Sequence, residues 1–334
     1  MASTAHLKLV TADDRAGGRL VGIAAAYSDT ERVLLARALA WAVQHAGERR
    51  LAGDETLSDH ALATVEILHR FEPDAECLAA SLLSRTAEDH DALPAIRENF
   101  GTRIAELAEG AARMGSLEEL GSRVERNRAA GAQLETLRKM LLAMAQDVRV
   151  VLIKLAGHTQ TMRFAVKCDD AQLRHDMARL TRDIFAPLAN RLGVWQLKWE
   201  LEDLALRILE PDTYKRIAKL LDEKRGDRER YIESAIARLR AEFARANLAA
   251  EISGRPKHIF SIYNKMRNKA VAFDALYDVR ALRVIVNDID ECYAALDIVH
   301  RLWTPLPNEF DDYIARPKGN DYRSLHTAVV GDEG

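Results

Sequence analysis

The chain has 334 residues, 48% of them hydrophobic and 30% charged, so it is long enough to bury a sizeable core in more than one domain. Its net charge of −3 excludes a global basic footprint for nucleic acid or anionic membrane, and no run approaches the roughly 18 apolar residues of a membrane span. Cys77, Cys168 and Cys292 are odd in number and far apart, which speaks against a disulfide or metal framework and suits a reducing cytoplasm. Met1 to Val10 lacks the apolar core of an export signal.

In chain order, residues 1–27 are polar and glycine-bearing and predict a loose, irregular lead-in. Ser28-Asp29-Thr30-Glu31 reads as a capping box opening a helix that ends near Gly47. The clearest helical period runs from Leu134 to Leu155, with Leu134, Leu137, Leu141, Met144, Val148, Val151 and Leu155 in steps of three and four. Met140 and Met144 there read as packing rather than as cofactor ligands. One helix closes before Pro211, and another from Asp227 places Ile232, Ile236, Leu239 and Phe243 on one side. Strand-like alternation begins near Leu248 to Ile252, so helices fill the first ~245 residues and α/β character follows.

The segment from Gly254 to Thr327 carries the chemistry. Pro256 suits the first position of a helix, whose free N–H groups and dipole favour an anion beside Arg255. Lys257, Ser261 and Lys265 follow at spacings of four and share one helical stripe, while Ile259, Ile262 and Met266 form a separate apolar stripe for a core. A solvated basic helix face is the plainer alternative. In the second half of Leu276 to Val286, β-branched and apolar residues fall on both alternations, which predicts a strand covered on both faces. Asp278 at its mouth is the candidate to hold Mg²⁺ against phosphate oxygens, unless it merely pairs with Arg280 or Arg283. After the turn residues at 317–321, Tyr322, Ser324 and His326 share one strand face, opposite Leu325 and Val329. Tyr322 there could stack on a purine, or the face could be the solvated side of an edge strand.

Gly254 to Val330 resembles, almost without a gap, the synthetase domain of the RelA/SpoT family, enzymes that make guanosine tetra- and pentaphosphate. Cys292-Tyr293-Ala294-Ala295-Leu296 and Glu309-Phe310-Asp311-Asp312-Tyr313 belong to the same match. The resemblance implies ATP contacts from Arg255, Lys257, Ser261 and Lys265, and Mg²⁺ on Asp278. Guanine stacking on Tyr322 is also implied, with Lys318, Asn320 and His326 around the GTP or GDP. Arg255, Lys257 and Asp278 would then serve transfer of pyrophosphate from ATP to the 3′-hydroxyl of GTP or GDP. The acidic Glu309 to Asp312 run is similar to that of synthetase-only members.

Upstream, His60 to Leu68 and Leu78 to Asp89 resemble the HD-type hydrolase domain of the same family. In hydrolase-competent members a histidine, a His-Asp pair and a later aspartate bind Mn²⁺. Here His60 stands for the first, Ser84-Arg85 replaces the pair, and Lys154-Leu155-Ala156-Gly157-His158 has Gly157 at the aspartate. A fixed positive charge at Arg85 is worse for a dication than mere absence of a ligand, so the resemblance implies an inactive hydrolase site.

The fold class expected is α+β: a mostly helical HD-like domain, then a nucleotidyltransferase-like mixed β-sheet with flanking helices. The expected division is a flexible terminus at 1–27, the HD-like domain at 28–195, connecting helices at 196–247 and the synthetase domain at 248–334. From Gly254 to Arg283, seven Lys/Arg face two acidic residues, as a phosphate cradle requires. From Val284 to Asp312, seven acidic residues face one arginine, with Asp288, Asp290 and Glu291 expected as a helix cap and first turn. In the family a strand patterned Glu-Val-Gln-Ile-Arg-Thr follows, its glutamate the second Mg²⁺-side carboxylate. No residue here matches it, Glu333 is a poor substitute, and the expectation is slow synthesis with an unpaired sheet edge inviting self-association. Ribosome and uncharged tRNA are expected partners only through further C-terminal domains. The rival classes are a nucleotide-binding regulatory module without turnover and a metal-dependent phosphohydrolase. Preference between GTP and GDP stays open.

Overall fold

The computed structural model describes residues 15–46, 50–51, 54–126, 147–223, 225–254, 258–269, 273, 281–317 and 323–331. The chain divides into two compact units, Met1–Asn190 with Val194–Leu209, and Arg191–Gly193 with Glu210–Gly334.

The first unit is helical. Its helices are α1 (Arg15–Ala24), α2 (Asp29–Ala46), α3 (Leu57–His69), α4 (Ala75–Leu83), α5 (Leu93–Phe100), α6 (Thr102–Arg126), α7 (Val148–Ala165), α8 (Ala171–Leu180), α9 (Ala186–Arg191, its last residue assigned to the second unit) and α10 (Trp195–Leu209). Short polar caps punctuate them. Thr56 accepts the Asp59 N–H at the start of α3, and Asp74 accepts the Cys77 N–H at the start of α4. Glu31 accepts both the Ser28 N–H (2.9 Å) and the Ser28 hydroxyl (2.6 Å), so the expected box opens α2. Arg149 donates to Asp74 (2.6 Å) and Asp147 (2.6 Å), tying the start of α7 to the cap of α4. Helices α3 and α7 pack together at the centre, where Leu62, Leu68, Leu78, Ile153 and Leu155 are fully buried.

Two expectations are corrected here. Residues 15–24 form a helix rather than an irregular lead-in, because Leu20, Ile23 and Ala24 fall on one face and are buried while Arg19 forks onto Glu66 (2.7 and 2.8 Å). The period read from Leu134 to Leu155 is not one helix. Asp147 is extended and caps a new helix at Val148 that runs on to Ala165. Leu134 to Met144 lie outside the described residues.

The second unit carries α11 (Pro211–Glu223), α12 (Arg225–Arg245), β1 (Glu251–Gly254), α13 (Ile259–Lys269), β2 (Leu282–Ile285), α14 (Ile289–Leu302), β3 (Thr304–Asp312) and β4 (Leu325–Val330). The α+β class holds. In place of one mixed sheet, the described strands pair as two antiparallel ribbons, β1 with β2 and β3 with β4. A shared core joins Leu239 and Phe243 of α12, Ile252 of β1, Ala295 and Ile298 of α14, and Trp303. The stripe of Ile236, Leu239 and Phe243 thus faces the core as its period predicts. Among the described residues, strand β2 is not covered on both faces: Leu282 and Val284 pack on this core while Ile285, on the other face, is 43% exposed. Asp288 caps α14 by accepting the Glu291 N–H (2.8 Å), and Glu291 returns to the Asn287 N–H (2.8 Å).

Strand β1 ends on Gly254, which lies against α12. A Cβ added there would meet Ile232 Cγ2 at 2.8 Å, so the absence of a side chain sets how closely β1 approaches the helix. Gly254→Ala is therefore expected to destabilise the second unit by about 1–3 kcal/mol in urea unfolding. An unchanged midpoint would show that Ile232 yields without cost.

Candidate functional site

In the first unit, His60, Ser84, Arg85 and Gly157 line one cavity, together with Lys154 and Glu88. Helix α3 supplies His60, the turn after α4 supplies Ser84, Arg85 and Glu88, and α7 supplies Lys154 and Gly157. The residues read from separate stretches of sequence thus meet in space. The His60 ring is 2% exposed, and its Nδ1 lies 2.9 Å from Glu55 Oε2, itself buried. Gln160 Nε2 donates to the other Glu55 oxygen at 2.7 Å. On the far side of the ring, Arg85 Nη2 stands 3.4 Å from Nε2. Arginine only donates, so Nε2 is the acceptor and Nδ1 carries the proton toward Glu55. Arg85 Nη1 donates to Glu88 at 2.7 Å, and Nη2 makes a long contact of 3.5 Å with Thr161 Oγ1. Ser84 turns its hydroxyl to the Ser81 carbonyl (2.9 Å).

Burial pushes the His60 imidazole below its ordinary value, with Glu55 opposing and the Arg85 and Lys154 charges reinforcing that direction. A manganese ion does not fit this cavity. It wants several oxygen or nitrogen donors in a near-octahedral set. His60 Nε2 and Glu88 are both engaged by Arg85, Gly157 has no side chain, and among the described residues no three His, Cys, Asp or Glu gather as ligands. A guanidinium at about 4 Å would also oppose a dication by several kcal/mol, taking on the order of 4 kcal/mol per unit-charge pair at an effective dielectric of about 20. Glu55 and Gln160 were not legible from the sequence: their partnership spans 105 positions, and a glutamate ahead of a helix cap has no periodic signature.

In the second unit only part of the expected nucleotide site falls within the described residues. Arg255, Lys257, Asp278, Lys318, Asn320 and Tyr322 lie outside them. Ser261 and Lys265 sit one turn apart on α13, which opens at Ile259 after His258 rather than at Pro256. The apolar stripe behaves as expected and fixes where the helix lies: Ile262 is buried with Ile217 and Phe273, and Ile259, Tyr263 and Met266 pack around them. His326 lies on β4 opposite Asp311, its ring edge-on to Tyr313 with centroids 5.3 Å apart. Val329, on the other face, packs on the core. Asn308 takes a left-handed backbone (φ 64°) at the irregularity between Pro305 and Phe310, and pairing resumes from Phe310 to Asp312. Asp312 accepts the Ile314 and Ala315 N–H groups (2.9 and 2.7 Å) and the Tyr293 hydroxyl (3.0 Å), which hold its carboxyl below the usual range. It shapes the turn leading to residue 317.

His60 gives a pH signature with a definite sign. Folded His60 binds its proton less readily than unfolded His60, so its contribution is complete above about pH 6.5 and is lost as pH falls below that, by up to about 1.4 kcal/mol per pH unit. Urea unfolding of the native chain and of His60→Asn at about pH 7.5 and about pH 5.5 should show the larger acid-side loss in the native chain. Equal losses would remove His60 as the cause.

Residues 36–195 match the family model described as "HD domain", and residues 254–334 match "Region found in RelA / SpoT proteins". The chain is 45% identical over 271 residues to a GTP pyrophosphokinase of Photobacterium angustum, covering 81% of this chain and 36% of that protein. It is 46% identical to the GTP pyrophosphokinase of Escherichia coli K12, again over 81% of this chain and 36% of the relative. A probable guanosine-3′,5′-bis(diphosphate) 3′-pyrophosphohydrolase of Synechocystis is 42% identical over 301 residues, 89% of this chain and 38% of that protein. The chain spans little more than a third of the length of these relatives. With an HD domain followed by a RelA/SpoT region in one polypeptide, the chain belongs to the RelA/SpoT family.

Proposed function

We propose that this chain is the catalytic portion of a GTP pyrophosphokinase and that its HD unit does not hydrolyse the product. The relatives carry names for two opposed activities, synthesis and hydrolysis. The observation that supports synthesis over hydrolysis is the Arg85 guanidinium beside His60 Nε2, in a cavity whose described donors do not suit a metal. Nucleotide chemistry then rests with the RelA/SpoT region.

In the proposed reaction the 3′-hydroxyl oxygen of GTP or GDP attacks the β-phosphorus of ATP, the bond to the α-phosphate oxygen breaks, and AMP leaves. Such a transfer asks for positioning and neutralised charge more than for covalent help from the protein. Arg255 and Lys257 would clamp the ATP phosphates, the guanidinium in bidentate fashion. Ser261 and Lys265 would join them from one face of α13, a helix anchored by the burial of Ile262. Tyr322 would stack on guanine, with Lys318, Asn320 and His326 around the acceptor nucleotide. Mg²⁺, with Asp278 as its carboxylate, would neutralise charge on the phosphates. A reducing cytoplasm is the proposed setting: Cys77, Cys168 and Cys292 are free thiols, and no helix among the described residues is long and apolar enough to cross a membrane.

With γ-labelled ATP, GDP and Mg²⁺, label is expected to move onto the guanosine nucleotide. Nucleotide binding with no transfer would replace the kinase by a regulatory module. Guanosine tetraphosphate supplied with excess Mn²⁺ is expected to release no pyrophosphate above a buffer blank, and release would restore the hydrolase. Tyr322→Ala should weaken guanine-nucleotide binding by about 1–3 kcal/mol, with a much smaller effect on ATP. Equal losses for the two nucleotides in calorimetry would make Tyr322 structural.

A further inference from the structure

We propose that the HD unit contains its own cation: the Arg85 guanidinium is held as a permanent structural ion between His60 and Glu88, in place of a metal. The inference rests on the reading of this cavity as a hydrolase site without its metal, and concerns what stands in the metal's place. The orienting half of a metal–histidine centre is complete. Gln160 steers Glu55, Glu55 holds Nδ1 of His60, and the ring is left with Nε2 facing the cavity. A histidine fixed in this way presents a lone pair to a cation, and the cation it meets is Arg85 at 3.4 Å. The same guanidinium reaches Glu88 at 2.7 Å and Thr161 at 3.5 Å. It therefore ties α3, the turn after α4, and α7, elements that a shared metal ion would tie. A guanidinium is charged at every accessible pH and offers five donors in one plane, so it can serve several fixed acceptors without exchange.

Gly157 is the complement of this substitution. A Cβ built on it lies 3.7 Å from His60 Nε2, so a side chain there would enter the space beside the ring that the guanidinium approaches. A carboxylate at Gly157 suits an external metal, and a bare glycine suits an internal arginine.

The test reads the thermal midpoint of the full 334-residue chain and therefore fails or succeeds independently of any turnover assay. With Asp278→Ala removing the carboxylate proposed for Mg²⁺, the chain is expected to show the same midpoint in EDTA and in excess MnCl₂. Arg85→Ala should lower the midpoint by roughly 5 °C. Low-millimolar methylguanidinium should restore much of that loss, whereas MnCl₂ should not. Arg85→Asp combined with Gly157→Asp exchanges the internal cation for an external one, so its midpoint should rise with MnCl₂ and fall back with EDTA. The proposal is overturned by a Mn²⁺-dependent midpoint in the Asp278→Ala chain, by Arg85→Ala as stable as the native chain, or by a loss that methylguanidinium does not restore. Should Arg85→Ala not fold, the double variant decides: indifference to Mn²⁺ in folded protein overturns the proposal, and a Mn²⁺-dependent rise supports it.

Discussion

A carboxylate buried to 4% exposure inside stacked helices must be satisfied at both oxygens, and the way Glu55 is satisfied determines how the first unit is put together. One oxygen takes Gln160 from α7 and the other takes His60 from α3, so the two central helices are locked by a polar contact within their apolar packing. The imidazole is thereby aimed at the turn after α4, where Arg85 meets it. The Arg85 guanidinium occupies the space between His60 Nε2 and Glu88. The Arg85–Glu88 pair is partly exposed and contributes modestly by itself. Its weight comes from joining a network in which each member leaves another unpaired if removed.

The second unit is organised by apolar burial around two small ribbons. Ile252, Leu239, Phe243 and Trp303 form one core, while Ile262, Ile217 and Phe273 form another beneath α13. These cores place Ser261 and Lys265 on one helix and His326 on β4. The tie from Tyr293 to Asp312 braces the turn at the end of β3. Asp312 of the acidic run thus has a structural task.

What was legible in the sequence was whatever a local signal specifies. The box at Ser28 and Glu31, the cap at Asp288, and the stripes of Ile236, Leu239 and Phe243 and of Ile259, Ile262 and Met266 are all short-range patterns, and each sits where its pattern places it. The gathering of His60, Ser84, Arg85 and Gly157 was legible through family resemblance, and the cavity brings them together. Long-range facts were not legible. Three glycines at 17, 18 and 22 made α1 look irregular, whereas the burial of Leu20 and the pairing of Arg19 with Glu66 decide that it is helical. An apolar run at Val284 to Val286 suggested burial on both faces, although only tertiary packing sets which face is covered. Glu55 needed a partner 105 residues away before its role was visible.

The central claim is that the HD cavity is closed to metal because a guanidinium already stands there. It is tested most directly by Mn²⁺ titration followed by electron paramagnetic resonance, using a chain in which Asp278→Ala removes the carboxylate proposed on the synthetase side. The account predicts the full signal of free Mn²⁺ from the first addition. Loss of one equivalent of that signal to a tight site, recovered when His60→Asn is added, would contradict it.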